Sequence, residues 1–195
     1  MNIKIEHISK TYEGYPVLKD FSMEIQEEKI TCIMAPSGRG KTTLLRLLMN
    51  LEDPDSGSIT GVEGKRISAV FQEDRLCENL SVGANIRLAM QSDGTRGKEN
   101  RRKIQRGLAE AGIEAWEERP VRELSGGMKR RVAVLRALYA PWDLLVMDEP
   151  FQGMDLKTKE RMMEQIRREA GKRTILFVTH DESEAQKMGA VIIRI

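Results

Sequence analysis

The sequence predicts an α/β fold built on a parallel sheet, and three observations carry this. Ile30-Thr31-Cys32-Ile33-Met34 is a continuous apolar-type run that leads at once into a Gly-rich loop and then an amphipathic stretch. Such a run suits a strand covered on both faces. Leu144-Leu145-Val146-Met147 and Thr174-Ile175-Leu176-Phe177-Val178-Thr179 are two more runs of this kind. A helical stretch from Leu156 to about Gly171 separates them, which is a βαβ pattern.

Taken in order, the chain opens strand-rich over residues 1–26. Ile3, Ile5 and Ile8 are apolar, Tyr12-Glu13-Gly14-Tyr15-Pro16 reads as a turn, and Phe21-Ser22-Met23-Glu24-Ile25 alternates again. After the Gly-rich loop, Leu44, Leu47, Leu48 and Leu51 recur at i, i+3, i+4 and i+7, the stripe of an amphipathic helix. Asp53-Pro54-Asp55-Ser56-Gly57 ends it. Ile67-Ser68-Ala69-Val70-Phe71 is the next strand. Over residues 73–123 strand signals stop and polar, helical stretches take over, so this block reads as a helical insertion between two parts of the sheet. Within it, Arg96 to Arg106 is a basic run. Its plain reading is the solvated face of an exposed helix; contact with anionic lipid headgroups or nucleic acid is the alternative. Met147, Met162 and Met163 read as core. Ala190 to Ile195 is a last short strand.

Length and composition bound the function. A chain of 195 residues predicts one domain. With 40% apolar and 32% charged residues it is an ordinary globular mixture. A net charge of +2 excludes a globally basic nucleic-acid binder. No apolar run reaches the roughly 18 residues of a membrane span. Met1-Asn2-Ile3-Lys4-Ile5-Glu6 alternates like a strand and shows no apolar stretch of the signal-peptide kind. Cys32 and Cys77 form no metal-spaced cluster, and a reducing compartment is expected.

Three segments carry chemistry. Ala35-Pro36-Ser37-Gly38-Arg39-Gly40-Lys41-Thr42-Thr43 fits the phosphate-loop template G-x-x-x-x-G-K-[ST], except that Ala35 stands at the first glycine. Backbone N–H groups and the following helix N-terminus suit a phosphate. Lys41 supplies a charge for the β- and γ-phosphates, and Thr42 a hydroxyl for Mg²⁺. Asp148 and Glu149 follow the apolar run at Leu144, at the end of a strand where α/β sheets place their sites. Alone they are as readily two solvated acids. Beside a phosphate loop, Asp148 suits Mg²⁺ and Glu149 suits the proton of an attacking water. Leu124-Ser125-Gly126-Gly127 arises by chance about once per hundred or more chains of this length, so alone it is only suggestive. It reads either as a helix cap at Ser125 or as a second anion-binding helix start.

In this order the three motifs resemble the Walker A, signature and Walker B motifs of the ATP-binding-cassette (ABC) transporter nucleotide-binding subunits, and the resemblance spans essentially the whole chain. It implies the ABC ATPase fold: a P-loop NTPase core with an N-terminal antiparallel β portion and a helical sub-lobe at about residues 73–130, all within one domain over 1–195. It also implies further site residues. Tyr12, with Tyr15 as substitute, matches the aromatic that stacks on adenine. Gln72, in Val70-Phe71-Gln72-Glu73-Asp74, matches the Q-loop glutamine that senses Mg²⁺ and the γ-phosphate. Asp155, in Phe151-Gln152-Gly153-Met154-Asp155, matches the D-loop, and His180 matches the switch histidine. The loop residues Ser37, Gly38, Arg39, Gly40, Lys41, Thr42 and Thr43 would hold ATP, while Thr42, Gln72 and Asp148 would hold Mg²⁺. Catalysis would fall to Glu149, His180 and Gln72. Ser125, Gly126 and Gly127 would complete the ATP site of a second subunit in a head-to-tail homodimer.

The family resemblance further implies Mg²⁺-dependent ATP hydrolysis coupled to transport. The implied partners are an integral-membrane permease subunit and an extracytoplasmic solute-binding protein, with no nucleic acid, and the place is the cytoplasmic face of the membrane. A cassette without membrane helices resembles the prokaryotic importers. Phe71-Gln72-Glu73-Asp74-Arg75-Leu76, with Leu80-Ser81-Val82 after it, is weakly similar to nitrate, sulfonate and taurine importer ATPases. Leu76, Leu80 and Val82 read either as a docking patch for the permease or as core of the helical lobe. Many importer ATPases continue well beyond the switch histidine. Here Ile195 follows His180 closely, which leaves C-terminal regulation an open question. The competing classes are a soluble ABC-type ATPase acting on nucleic acid or ribosomes, which usually carries two cassettes or a long coiled-coil insertion, and a small-molecule kinase, which needs neither a signature loop nor His180.

Overall fold

The computed structural model describes residues 1–36, 38–90 and 97–195. Ser37 of the phosphate loop and Arg96 of the basic run lie outside the described residues. The N-terminal alternation becomes β1 (Ile3–Tyr12) and β2 (Tyr15–Ile25), joined by a tight turn at Glu13-Gly14. Next come β3 (Ile30–Met34), α1 (Lys41–Leu48), β4 (Ser56–Thr60) and β5 (Ile67–Val70). The helical stretch holds α2 (Val82–Ala89), α3 (Gly97–Glu110), two short 3-10 turns and α4 (Gly126–Tyr139). The chain closes with β6 (Leu144–Asp148), α5 (Leu156–Ala170), β7 (Thr174–Val178), α6 (Glu182–Met188) and β8 (Val191–Arg194).

Two sheets form. The order β2-β1-β4 is antiparallel, and β5-β6-β7-β3-β8 is parallel throughout. Every residue of β6 and β7 is buried. Their alternate side chains feed two cores, as the period of two requires. Ile33, Leu144, Val146, Leu176 and Val178 pack with the leucines of α1 and the isoleucines of β1. Cys32, Leu145, Met147, Ile175 and Phe177 join the residues of α4 and α5, including Met162 and Met163. Because the five strands run parallel, the C-terminal ends of β3, β5, β6 and β7 share one edge. That single fact gathers the phosphate loop, Gln72, Asp148-Glu149 and His180.

Some expectations are corrected. Leu51 is not on the apolar stripe of α1: the helix ends at Leu48, Asn50 turns left-handed at φ 54°, and Leu51 is 52% exposed. Val82 is fully buried in the core of the helical lobe, so it cannot belong to a docking patch; Leu76 packs partly against that core, and Leu80 alone of the three is exposed. The basic run is largely the solvated face expected: Lys98, Arg101, Arg102 and Arg106 are exposed on α3, and Lys103 and Arg106 also pair with Glu169 of α5 at 3.1 and 2.8 Å. The strand β4 and the helix α6 were not expected.

Candidate active site

The phosphate loop leaves β3 and enters α1 through Gly40, which has φ 76°. A side chain there would be strained by that φ, and its Cβ would lie 2.9 Å from the Val17 carbonyl oxygen of β2. Gly40 thus lets the β1–β2 hairpin pack against the loop. Gly38 and Arg39 are exposed at the loop tip. Lys41 folds back over the loop and donates to the carbonyls of Ala35 at 2.8 Å and Pro36 at 3.0 Å. Ala35 is not among the residues with positive φ, so its methyl group does not strain the turn. Ala35→Gly therefore adds only unfolded-state entropy. We expect it to lower stability by roughly 0.4–1 kcal/mol in denaturant titrations, with ATP binding no tighter than in the parent.

Across the edge, Thr42 Oγ1 donates to Asp148 Oδ2 at 2.8 Å. Asp148 is 5% exposed, carried into the interior by the doubly covered β6. Thr42, Gln72 and Asp148 line one cavity of about 360 Å³. Their hard oxygens suit Mg²⁺. Among the described residues no group of three or more His, Cys, Asp or Glu converges for a metal. The chemistry therefore fits a Mg²⁺ that takes its remaining ligands from phosphate and water, not a closed protein cage.

Glu149 follows in a left-handed conformation, φ 49°, which is unusual for a non-glycine residue. Its backbone is fixed on both sides: its N–H donates to Val178 at 3.0 Å, and its carbonyl accepts from Arg130. Strain of this kind persists where the surroundings over-determine it, and it clusters at active sites. The turn aims the Glu149 carboxylate at His180, with Nδ1 3.1 Å from both oxygens. That hydrogen bond and the carboxylate charge raise the His180 imidazole above its ordinary 6.5. His180 itself is set by Thr179, whose buried hydroxyl donates to Glu184 Oε2 at 2.5 Å, while Lys159 of α5 holds the other Glu184 oxygen at 2.6 Å.

Tyr12 sits at the hairpin tip, 39% exposed, with the Thr43 side chain beside its phenol. Burial, and then its hydrogen bond to Glu52, raises the phenol above the ordinary 10. Tyr15, its partner across the turn, is 76% exposed. Ser125 and Asp155 are elsewhere. Ser125 caps α4, accepting from Met128 N–H at 3.4 Å, and Asp155 caps α5, accepting from Thr158 N–H at 3.0 Å. The Thr158 contacts hold the Asp155 carboxyl below its usual range. The two caps adjoin: a Cβ on Gly127 would lie 2.4 Å from the Gly153 carbonyl oxygen, so only glycine lets these loops touch. Among the described residues no hydrogen bond or ion pair joins Ser125–Gly127 to the phosphate loop.

Residues 18–152 match the family model described as ABC transporter. The chain belongs to the ABC transporter family. A spermidine/putrescine import ATP-binding protein, PotA, from Mesoplasma florum is 34% identical over 94% of this chain and 55% of its own length. An Fe(3+) ions import ATP-binding protein, FbpC, from Agrobacterium fabrum is 35% identical over 98% of this chain and 58% of its own length. The chain thus spans little more than half the length of these curated relatives. Among solved structures, the dimeric bacterial ABC transporter cassette MJ0796 superimposes with a TM-score of 0.85 at 28% identity, covering 98% of this chain and 94% of that one. A post-hydrolysis dimer of the same cassette, bound to ADP and Pi, gives 0.84 at 27% identity, covering 99% and 94%. The ABC ATPase fold, with its antiparallel and parallel sheets, is the observed architecture.

One residue of this ABC cassette's site escaped sequence reasoning. Arg130 is 3% exposed and donates from α4 to the carbonyls of Phe71, Gln72, Asp148 and Glu149. It also pairs with Asp74 Oδ1 at 3.0 Å. One guanidinium therefore ties the end of β5, which bears Gln72, to the end of β6, which bears the two acids. Its sequence signal was hidden in Lys129-Arg130-Arg131, where nothing in the sequence marks the middle residue as the buried one.

Proposed function

We propose that the chain is the ATP-hydrolysing subunit of a prokaryotic membrane importer, acting as a peripheral homodimer on the cytoplasmic side of a separate permease. The observation that carries this is the edge where Thr42 of the phosphate loop meets Asp148 and Glu149 meets His180. Lys41 and the loop N–H groups bind the ATP phosphates, Arg39 and Thr43 flank them, and Tyr12 stacks on the base. Thr42, Asp148 and Gln72 hold the metal site. When bound, Mg²⁺ supplies charge neutralisation at the phosphate oxygens. Glu149 takes a proton from the attacking water, and His180 orients that carboxylate while facing the γ-phosphate.

Ser125, Gly126 and Asp155 are exposed on adjoining helix starts, and among the described residues no hydrogen bond or ion pair joins Ser125–Gly127 to the phosphate loop of the same chain. That placement supports a signature surface that completes a site on a second copy. The match to a cassette described as dimeric supports it too. Among the described residues no helix is long and apolar enough to cross a membrane. An extracytoplasmic solute-binding protein would deliver the cargo. The relatives above are named for a polyamine and for ferric ion at nearly equal identity, and neither name is nitrate, sulfonate or taurine. We therefore assign the choice of cargo to the partners.

The test is Mg²⁺-dependent phosphate release by the purified chain, followed by recovery of its permease. Leu80 is exposed after Gln72, whereas Val82 is fully buried. Leu80→Glu should leave the melting temperature and ATP binding at parental values and abolish co-purification of the permease. Val82→Glu should lower the melting temperature sharply, because it buries an unpaired charge. A large melting-temperature drop in Leu80→Glu would remove the docking role. Absence of ATP hydrolysis would remove the catalytic assignment.

A further inference from the structure

Tyr12 is a partly exposed aromatic at a hairpin tip, a place where a side chain ordinarily turns freely about its torsions. Here it is held. Its hydroxyl donates to Glu52 Oε2, and Arg46 Nε pairs with the other Glu52 oxygen at 2.7 Å. Glu52 is only 20% exposed at its side chain. Arg46 stands on α1, whose first turn carries Lys41 and Thr42. The loop bearing Glu52 is itself bound to β1. Asp55 N–H donates to the Ser9 carbonyl at 2.9 Å, Thr11 N–H donates to Asp55 Oδ2 at 2.7 Å, and Lys10 Nζ donates to the Asp53 carbonyl at 2.7 Å. One helix thus fixes both the phosphate loop, at its start, and the Tyr12 ring, through the loop at its end.

We infer that Glu52, held by Arg46, is a positioning residue that sets the Tyr12 ring for the nucleotide base before the nucleotide arrives. This rests on reading Tyr12 as the base-stacking residue. The physical gain is preorganisation: a ring already fixed in place loses little freedom when the base lands on it. The hydroxyl also points at a carboxylate, so the side chain cannot swing away about χ1 without giving up a charge-assisted hydrogen bond. The effect must appear in recognition of the base and not in recognition of phosphate.

Calorimetric affinities of the whole chain for ATP and for inorganic tripolyphosphate, which carries no base, test this. Glu52→Ala should weaken ATP about two- to tenfold and leave tripolyphosphate unchanged. Glu52→Gln keeps an oxygen that accepts from Tyr12 and should recover most of the loss. Tyr12→Phe keeps the ring and removes only the hydroxyl, so it should reproduce the Glu52→Ala loss. The double variant should add nothing further. Equal weakening of both ligands by Glu52→Ala, or parental ATP affinity in Tyr12→Phe, overturns the proposal. Tyr12→Ala separates it from the reading beneath it. Parental ATP affinity in Tyr12→Ala removes base stacking itself, whereas a strong loss there beside a harmless Tyr12→Phe keeps stacking and removes only the role of Glu52.

Discussion

Glu149→Gln is expected to keep ATP binding and to cut hydrolysis by about 10²- to 10⁴-fold. The amide has nearly the shape of the carboxylate but takes no proton, and none of the phosphate contacts assigned to Lys41 and the loop is altered. ATP that is bound and not hydrolysed should then hold two copies together, so the variant should run as a dimer in gel filtration with ATP and as a monomer without it. His180 supplies an independent readout. Its imidazole is raised above 6.5 by the Glu149 carboxylate, so the protonated form is favoured in the folded chain. The stabilisation this gives is present below pH 6.5 and is lost as pH rises through the raised midpoint. It is small, because the imidazole is largely exposed and solvent screens the pair. In Glu149→Gln the charge is gone, and the His180 titration followed by NMR should move back toward 6.5. Parental turnover would show that Glu149 is not the base. An unmoved His180 midpoint would show that the two side chains do not meet in solution.

Much of this site was legible because its residues sit at the ends of strands whose burial is written in their composition. The apolar runs of β3, β6 and β7 have no polar face, so a parallel sheet covered on both sides was the arrangement left to them, and the residues following each run had to share an edge. Where backbone pairing does the work, composition is silent. β4 is Ser56-Gly57-Ser58-Ile59-Thr60 and is recruited by its ladder to β1, not by an apolar face. Periodicity misled at Leu51, which continues the leucine spacing past a left-handed Asn50 that had already ended the helix. It could not decide Val82, which is fully buried only two residues after the exposed Leu80. Charge was an uneven signal. The run on α3 is mostly exposed, as its charge implies, yet Arg130 lies within three consecutive basic residues and is almost fully buried.

Arg130→Ala should be among the most damaging single substitutions in the chain. A cation taken out of water is tolerable only when its donors are matched, and here they are. Nε and Nη2 of Arg130 donate to the Glu149 carbonyl at 3.2 and 2.9 Å, Nη2 also reaches the Asp148 carbonyl, and Nη1 serves Phe71, Gln72 and Asp74. Truncation leaves those acceptors facing a void at the junction of β5 and β6. An orphaned buried acceptor costs about 1–3 kcal/mol, and water entering the void recovers part of this, so the net loss should be on the order of 3 kcal/mol. For a domain of this size that corresponds to roughly 6–12 °C in Tm. Arg130→Lys distinguishes a positioning role from a purely structural one. An ammonium restores the charge but not the planar fork that spans two strand ends. It should therefore regain part of the Tm while the carboxylate of Glu149 and the amide of Gln72 lose their fixed separation. Hydrolysis well below the melting point should then fall in kcat more than in the KM for ATP, since the phosphate loop is untouched. A lysine variant with lowered Tm and parental kcat would make Arg130 a clamp for stability alone. An alanine variant melting within about 2 °C of the parent would show that the clamp carries little of the fold.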